Sequence, residues 1–460
     1  MKRSIFFFAA ILYSTPSFSD LAPEFDGVWK TDGYGTLAEI KNGQVKFYQV
    51  AGEVCIAETT NAEAIAALVD NSELVLAQDG QLAKVQLPFA QHEIRANRLD
   101  RLPDTCRAPA ENTPEGNFEA FAAYFEQNYP FFAVQGVDWQ TMKATAREKL
   151  RPDTSERELF ELFKEMIAPL RDGHINLAAR IDNEYLRFEP HPGEKPRRLL
   201  EAASSQGISG QEALDAFLQP LWFDTIQNTI LAGQGQIAGN QRIQYGILAG
   251  DTGYLALATV GFYDRRGASP EEEMAATDAI MEDVMQFFQK AGVRSVIIDL
   301  SMNYGGYSNL DGYAFVARAI AERFASEPVV AYTKYAADAD NPVRTDVTLT
   351  PSNGTRFEGP VFVLTSNITV NAGEVLTLSL RALPNVTHVG EPTRGALSDS
   401  LDRTLPNGWH LSLANEVHVD SEGRFWEGRG ITPHMPMDVF KNASPNENHV
   451  DLVMKLAAQN

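Results

Sequence analysis

The stretch LTSNITVNAGEVL, residues 364–376, is the segment best placed to carry chemistry, because it ends a strand and begins a helix. Such a junction can hold a nucleophilic hydroxyl, and Asn371 stands where that hydroxyl is expected. A carboxamide is not activated by a neighbouring imidazole as a hydroxyl is. Asn is nevertheless a good N-cap, and Glu374 three residues later comes close to a capping box. The pattern predicts a preserved helix start without a nucleophile.

Three further groups could take part in the same reaction, and each also has an ordinary structural interpretation. Gly305-Gly306 can expose backbone N–H groups to an oxyanion, or it can be a plain strand-to-helix turn. His174, in PLRDGHINL, can serve as a general base or as a hydrogen-bonded structural histidine. Glu427, before a Gly-Arg-Gly turn, can orient an imidazole or form a surface ion pair.

Other hydroxyls near the junction could replace the missing nucleophile. Thr369 lies two residues before Asn371, so strand alternation can aim both side chains to the same side. Ser308 lies just beyond the Gly-Gly pair and could face the same cleft, whereas Ser366 lies inside the predicted strand end. Thr369 and Ser308 are therefore alternative candidates for the nucleophile.

Composition and charge exclude several classes of function. The chain has 460 residues, of which 44% are hydrophobic, and a net charge of −22. The acidic balance argues against nucleic acid and anionic membranes as partners. The eight histidines show no HExxH or similar ligand spacing. We therefore expect neither a metal nor a cofactor.

The N-terminus has the pattern of a secretory signal: MKR, then the apolar SIFFFAAILY, then small residues at Ser17 and Ser19. The apolar run is too short to span a membrane. Cleavage before Asp20 would leave 37 basic and 61 acidic residues, a net charge of −24. We therefore expect export to the periplasm or the extracellular space. In such an oxidising compartment Cys55 and Cys106 favour one disulfide.

Composition divides the chain into five predicted regions. These are a signal at 1–19, a small β-rich domain at 20–110, a helical subdomain with His174 at 111–245, an α/β core at 246–445 and a C-terminal tail at 446–460. Within them, helices are predicted at 60–70 and at several places in 195–235. An N-terminal extension packed on the main body is the alternative to a separate β-rich domain.

From about residue 250 strands and helices alternate. Continuous apolar runs such as SVIIDL and PVFVLTS predict strands that are buried on both faces. The helix that precedes SVIIDL has Ser269 as its cap, Pro270 in its first turn and Gly292 beyond its end. This alternation predicts an α/β core with a largely parallel inner sheet. Ligand sites in such sheets form where strands end and helices begin.

Taken in order, these segments resemble the C-terminal-processing, or tail-specific, serine peptidases, and among them the branch of the tricorn core and interphotoreceptor retinoid-binding protein. The motifs that carry the resemblance span about residues 118–438: YPFFAVQGVDW, LRDGHINL, VIIDLSMNYGG, GPVFVLTSNITVNAGE, VGEPTRGALSD, LPNGWHLSL and EGRGITP. The resemblance implies a crotonase-like spiral ββα core with a helical subdomain. No PDZ-type glycine-rich loop separates the His174 segment from the core, which matches this branch.

The resemblance also implies a role for each candidate residue. The general base corresponds to His174, the acid that supports it to Glu427, and the nucleophilic serine to Asn371. The oxyanion donors correspond to Gly305, Gly306 and Ala372.

Two positions depart from the patterns of related peptidases. The serine that precedes the histidine in tricorn is Gly173 here, and the lysine used by other processing peptidases falls near Ala396. The Ser–Lys form of the chemistry is therefore excluded, and the Ser–His form lacks its serine.

Three functions remain open from the sequence. The first is an exported serine peptidase that hydrolyses peptides or unfolded proteins through an acyl-enzyme, with activity reduced or lost because Asn371 replaces the serine. The second is a non-catalytic protein that binds peptides or apolar small molecules, with the helix start at Ala372 supplying donors. In a third possibility, residues 20–107 dock a partner and the core supports them.

Overall fold

The computed structural model describes residues 22–458 except 59–71, 88, 91, 194–195, 197–200, 202–203, 205–206, 208–221, 250, 266, 307–312 and 441–447. The predicted signal at 1–19, the predicted helix at 60–70 and Ser308 lie outside the described residues, as does most of the predicted helical stretch at 195–235. Within the described residues no helix is both long and apolar enough to cross a membrane.

In the described residues, the N-terminal region is an antiparallel sheet with the strand order β4-β3-β2-β1-β7-β6-β5. It consists of β1 (Gly27–Thr31), β2 (Thr36–Lys41), β3 (Gln44–Ala51), β4 (Val54–Ala57), β5 (Glu73–Leu76), β6 (Leu82–Gln86) and β7 (Glu93–Leu99). Asn42 and Gly43 join β2 to β3 at positive φ, 53° and 72°, as a tight hairpin requires. The β-rich N-terminal region is thus confirmed.

Cys55 in β4 and Cys106 in a short 3-10 turn form a disulfide, with their Cα atoms 5.0 Å apart. The bond lies in a small apolar cluster with Leu37 and Tyr48. It ties the end of the N-terminal region to its sheet, because 51 positions of sequence separate the two cysteines.

A helical layer follows, made of α1 (Pro114–Asn128), α2 (Phe132–Gln135), α3 (Trp139–Lys149) and α4 (Glu156–Ile167). Ser155 and Glu158 close a capping box at the start of α4, and the rings of Phe121 and Phe163 stack 4.0 Å apart. These helices share one buried cluster with a four-stranded sheet.

That sheet consists of β8 (Asn176–Ile181), β9 (Glu184–Phe188), β18 (Ser400–Thr404) and β19 (His410–Ala414). It joins residues of the predicted helical subdomain to residues of the predicted core, since β8 pairs with β19. His174 lies two positions before β8, so the sheet anchors the histidine against the core.

The central sheet has the order β10-β11-β12-β13-β16-β17-β21, and β12 to β21 run parallel in it. Its strands are β10 (Gln236–Ala238), β11 (Ile243–Leu248), β12 (Thr252–Leu257), β13 (Ser295–Asp299), β16 (Val361–Thr365), β17 (Val386–Gly390) and β21 (Met435–Pro436). A smaller sheet, β15-β14-β20, is formed by β14 (Val329–Ala336), β15 (Thr345–Leu349) and β20 (Glu416–Asp420).

The core helices are α5 (Pro270–Ala291), α6 (Ala314–Glu322), α7 (Ala372–Arg381) and α8 (His449–Ala457), with a π-helical turn at Thr225–Ile230. Helix α5 begins and ends as predicted: Ser269 forms a capping box, and Gly292 follows at φ 71°. Val296 and Ile298 of β13 point into one apolar cluster and Ile297 into another. Burial on both faces explains the unbroken apolar run, and the predicted α/β fold is confirmed.

Two loops follow neighbouring parallel strands at the same edge of the central sheet. Strand β13 ends at Asp299 and leads to Gly305, while β16 ends at Thr365 and leads to Asn371. Because β13 and β16 pair directly, their carboxyl ends bring the two loops together.

Candidate active site

His174 lies in the turn between α4 and β8, which holds its backbone from both sides. Its N–H donates to Asp172 Oδ1 (2.8 Å), and its carbonyl accepts from the hydroxyl of Ser412 on β19 (2.6 Å). Asp172 is completely buried, whereas His174 is partly buried. These two bonds hold the backbone of His174 and leave both ring nitrogens of the imidazole available for other contacts.

Asn371 immediately precedes α7 with a strained backbone, at φ 53° and ψ −123°. A non-glycine residue adopts this conformation only where its surroundings enforce it. Its N–H is held by Ala396 O (3.1 Å) and Glu374 Oε2 (3.2 Å). On the other side a Cβ on Gly305 would lie 2.9 Å from Asn371 Cβ, so the close approach of the two loops requires glycine there.

The Asn371 carboxamide contacts both groups that the sequence predicted around it. Its Nδ2 lies 2.8 Å from His174 Nε2, and its Oδ1 accepts from the Ala372 N–H at 2.6 Å. Because Oδ1 faces an N–H, the amide nitrogen must face the histidine, and Nδ2 donates to Nε2. His174 therefore carries its proton on Nδ1, the tautomer in which Nε2 is free to act as a base.

The buried carboxylate of Glu374 connects the start of α7 to the loop after β17. It accepts from Thr393 Oγ1 (2.5 Å), Gly395 N (2.7 Å) and Ala396 N (2.8 Å), in addition to Asn371 N. The side chain is completely buried. These bonds hold Ala396 where its carbonyl can accept from Asn371, so Glu374 supports the strained residue from both directions.

Two buried carboxyl groups face the Nδ1 side of His174. One oxygen each of Asp172 and Glu427 and one ring nitrogen of His174 all lie within 4.8 Å of one another. Asp172 Oδ2, Glu427 Oε1 and His174 Nδ1 have no hydrogen-bond partner. A proton on Nδ1 thus faces a pair of carboxyl groups that have unused acceptor atoms.

Glu427 was predicted to orient the imidazole, but its hydrogen bonds go elsewhere. Its Oε2 accepts from Leu397 N (2.8 Å) and Ser398 N (2.9 Å). Glu427 therefore lies close to the histidine but makes no hydrogen bond to its ring. Asp172, two residues before His174, was not selected from the sequence, although the Asp-x-His spacing in RDGH was the available signal.

Ionising both Asp172 and Glu427 is unfavourable, because two buried negative charges so close together repel each other. Burial raises the pKa of Asp172 to about 6. The pKa of Glu427 is raised well above its usual range. Burial is the largest cause, followed by the negative charges of Asp172 and Glu374. At neutral pH Glu427 therefore keeps a proton while Asp172 is ionised, and Asp172 is the anion that favours Nδ1–H.

The predicted oxyanion donors are largely occupied by groups of the protein. Gly305 N–H donates to Asn303 Oδ1 (2.9 Å), which corrects the expectation that it faces a ligand. Ala372 N–H donates to Asn371 Oδ1. Among the contacts of the described residues, the Gly306 N–H has no acceptor. The carboxamide of Asn371 thus accepts the hydrogen bond of Ala372 N–H, which a developing oxyanion would need.

Thr369 is unsuited to replace the nucleophile. Its hydroxyl donates to Leu300 O (2.7 Å) and accepts from Ser366 N (3.1 Å), and the side chain is completely buried. Strand alternation failed to predict its direction because β16 ends at Thr365 and residues 366–369 form a turn, closed by Thr369 N–H on Ser366 O. Ser366 is likewise engaged, through a bond to Ser301 O (2.5 Å).

A serine–histidine–aspartate group lies deep in the core, separate from the Asn371 site, and has a structural role. Asp299 accepts from Ser301 (2.6 Å) and Tyr254 (2.5 Å), and its carboxylate lies 2.5 Å from His449 Nε2. These four side chains are almost completely buried. They join α8 to β13 and have no surface through which a substrate could reach them.

Among the described residues, two groups of side chains have the donor atoms that a metal ion would require. One is Asp172, His174 and Glu427, and the other is Asp399, Glu416 and His418. In the second, Lys334 Nζ already lies 2.7 Å from Asp399 and 2.8 Å from Glu416. An internal cation therefore balances that acidic group.

Comparison with known proteins identifies similar families and folds. The model of peptidase family S41 matches residues 230–437, and that of the tricorn protease C1 domain matches residues 110–168. A candidate peptidase from Parabacteroides merdae superposes with a TM-score of 0.56 at 23% identity, over 75% of this chain and 98% of that one. Mature CPAF complexed with lactacystin superposes with a TM-score of 0.51 at 13% identity, again over 75% and 98%. At these identities the structural likeness shows the fold.

Replacing Glu374 with glutamine should destabilise the protein by about 2–4 kcal/mol, because an amide presents donors to backbone N–H groups that need an acceptor. Chemical denaturation measures the free energy of unfolding. The matched control is Glu148→Gln on the exposed face of α3, which should change it by less than about 0.5 kcal/mol. Equal effects of the two substitutions would contradict the role assigned to Glu374.

The imidazole of His174 should remain neutral well below the ordinary histidine pKa. Burial lowers the pKa of His174 from 6.5 to about 4. The neutral ring therefore contributes stability that is complete above pH 6.5 and is lost as the pH falls towards 4. Histidine-selective ¹⁵N NMR should show an Nδ1–H tautomer with no titration between pH 6 and 8. A midpoint at or above 6.5 would contradict this assignment.

Proposed function

We propose that this chain, which belongs to peptidase family S41, binds peptide segments of other proteins in the cleft around Asn371 and does not hydrolyse them. Family membership supports peptides or unfolded proteins as the ligands. The observation that carries the loss of hydrolysis is the double contact of the Asn371 carboxamide with His174 Nε2 and Ala372 N–H.

A serine at position 371 would meet the requirements of acyl-enzyme chemistry. Its hydroxyl would face the basic Nε2 of His174, which could take the proton as the hydroxyl attacks a peptide carbonyl. The N–H of Ala372, at the positive end of α7, would then be free for the oxyanion. The ionised Asp172 would stabilise the imidazolium that forms.

Asn371 removes two of these functions at once. Its carboxamide offers no group that becomes a strong nucleophile on losing a proton. Its Oδ1 also satisfies the Ala372 N–H, so a substrate carbonyl must compete with an internal acceptor at 2.6 Å. The remaining scaffold, including the strained backbone and the base-ready histidine tautomer, is that of a site built for hydrolysis.

We also propose that the protein is exported. The signal pattern at residues 1–19 and the Cys55–Cys106 disulfide both support an oxidising compartment. N-terminal sequencing of the protein from its native source should begin at Asp20. A mature chain that still begins at Met1 would contradict export by this route.

The Asn371→Ser variant should gain peptidase activity, because the hydroxyl restores the nucleophile and frees the Ala372 N–H. With a panel of unfolded proteins as substrates, we expect a rise of at least about a thousandfold over the native protein. Asn371→Ala frees the same N–H without a nucleophile and is the matched control, which should stay inactive. Adding His174→Ala to Asn371→Ser should abolish the gain.

Two results of this experiment would contradict the proposal. Equal hydrolysis by the native protein and the Asn371→Ser variant would place the nucleophile elsewhere. Hydrolysis by Asn371→Ala would show that the reaction does not pass through residue 371.

A further inference from the structure

The backbone of Asn371 turns the next peptide nitrogen towards its own side chain. At a ψ of −123° the Ala372 nitrogen nearly eclipses Cβ about the Cα–C bond. This is the torsion at which a five-membered ring can close between the side-chain carbonyl carbon and the following nitrogen. L-residues rarely adopt it, and here Glu374 and Ala396 hold it in place.

The side chain is also folded back onto that nitrogen. Ala372 N lies 2.6 Å from Asn371 Oδ1, and Oδ1 is bonded directly to Cγ. Since the C=O bond is about 1.2 Å long, the reacting nitrogen and carbon lie no more than about 3.8 Å apart. Preorganisation of this kind lowers the barrier of an intramolecular attack.

His174 is a proton-transfer group that lies next to Asn371 Nδ2, the atom that would leave. His174 Nε2 is 2.8 Å from Asn371 Nδ2, and the tautomer present makes Nε2 the unprotonated nitrogen. The start of α7 adds a positive dipole end, which favours the negative charge that develops on Oδ1. Attacking atom, leaving atom, acid–base group and charge stabilisation are therefore assembled around one residue.

We propose that Asn371 is a self-modification site, at which the folded protein converts the carboxamide to a carboxylate through a succinimide with Ala372. The Ala372 N–Cγ bond forms and the Cγ–Nδ2 bond breaks. Ala372 N loses its proton as its bond to Cγ forms, and one proton delivered through His174 Nε2 to Nδ2 lets that nitrogen leave as ammonia. Water then opens the ring at one of its two carbonyl groups and yields aspartate or isoaspartate.

The product would change the site that the native asparagine forms. A carboxylate at position 371 accepts from a protonated His174 and raises the pKa of the imidazole, since opposite charges favour each other at this distance. The aspartate product keeps a helix-capping oxygen at the start of α7. The isoaspartate product inserts an additional backbone atom and would disrupt the helix start.

The test compares the folded protein with a synthetic peptide of residues 364–380. Both are incubated at neutral pH, digested and analysed by mass spectrometry for the replacement of NH2 by OH at each asparagine. Unfolded chains modify Asn-Gly sequences first, because glycine leaves the attacking nitrogen unhindered. The Asn-Gly pairs at Asn42, Asn353 and Asn407 are therefore internal references.

We expect Asn371 to convert at least about tenfold faster in the folded protein than in the peptide, because the fold supplies the geometry. His174→Ala should slow the conversion, while the surface variant His410→Ala should leave it unchanged. A succinimide, seen as the loss of ammonia at residue 371, would identify the route.

Three results would overturn the proposal. These are an intact Asn371 after Asn407 has converted, equal rates in protein and peptide, and an unchanged rate in His174→Ala. The readout is a mass at one residue, so it is independent of whether the protein binds or cleaves peptides.

Discussion

The buried carboxylate of Glu374 is the interaction on which the geometry of the site depends. It joins the start of α7 to residues 393–396 through four hydrogen bonds, and no solvent reaches it. Burial of an acid is costly, and burial raises the pKa of Glu374. Neighbouring N–H groups offset that cost only while the loop and the helix start stay together. The conformation of Asn371 follows from this arrangement, because both acceptors of its N–H belong to it.

In the function we propose, the strained residue keeps the backbone form of a reactive centre, while its carboxamide cannot act as the nucleophile. A carboxamide is a donor and an acceptor in one planar group, so it can bond to His174 and to Ala372 N–H together. A hydroxyl in its place would meet the same two groups as a nucleophile and leave the oxyanion donor free. The scaffold and the chemistry are therefore separable here at a single position. Under this proposal the scaffold is that of the family, and residue 371 decides whether the scaffold can hydrolyse a peptide.

Sequence patterns correctly predicted the strands and helices whose positions are specified by hydrophobic periodicity and by capping residues. The apolar run of β13, the Ser269 cap of α5 and the strand-end positions of Asn371 and Gly305 follow local rules, and the structure has them. His174 could be selected because its segment lies between a helix and a strand. The pairing of His174 with Asn371 depends on β8 joining β19, and local patterns contain no information on that contact.

The errors in the site have local physical causes. The Asn303 side chain captures the Gly305 N–H, which no rule about Gly-Gly turns anticipates. Thr369 belongs to a turn, so an alternation rule for strands gave the wrong direction for its side chain. Asp172 acquires its importance from the burial of Glu427 beside it, across a separation of 255 residues in the numbering of the chain. The sequence alone does not reveal groups whose protonation is coupled, because the coupling arises only when the fold places them close together.

The most direct test of the account is to measure binding and cleavage of the same peptide by the native protein. Titration calorimetry reports binding, and mass spectrometry of the recovered peptide reports its covalent state. The account predicts saturable binding with the peptide recovered intact after prolonged incubation. Cleavage by the native protein that disappears in His174→Ala would contradict it, because Asn371 would then not have ended the reaction of this site.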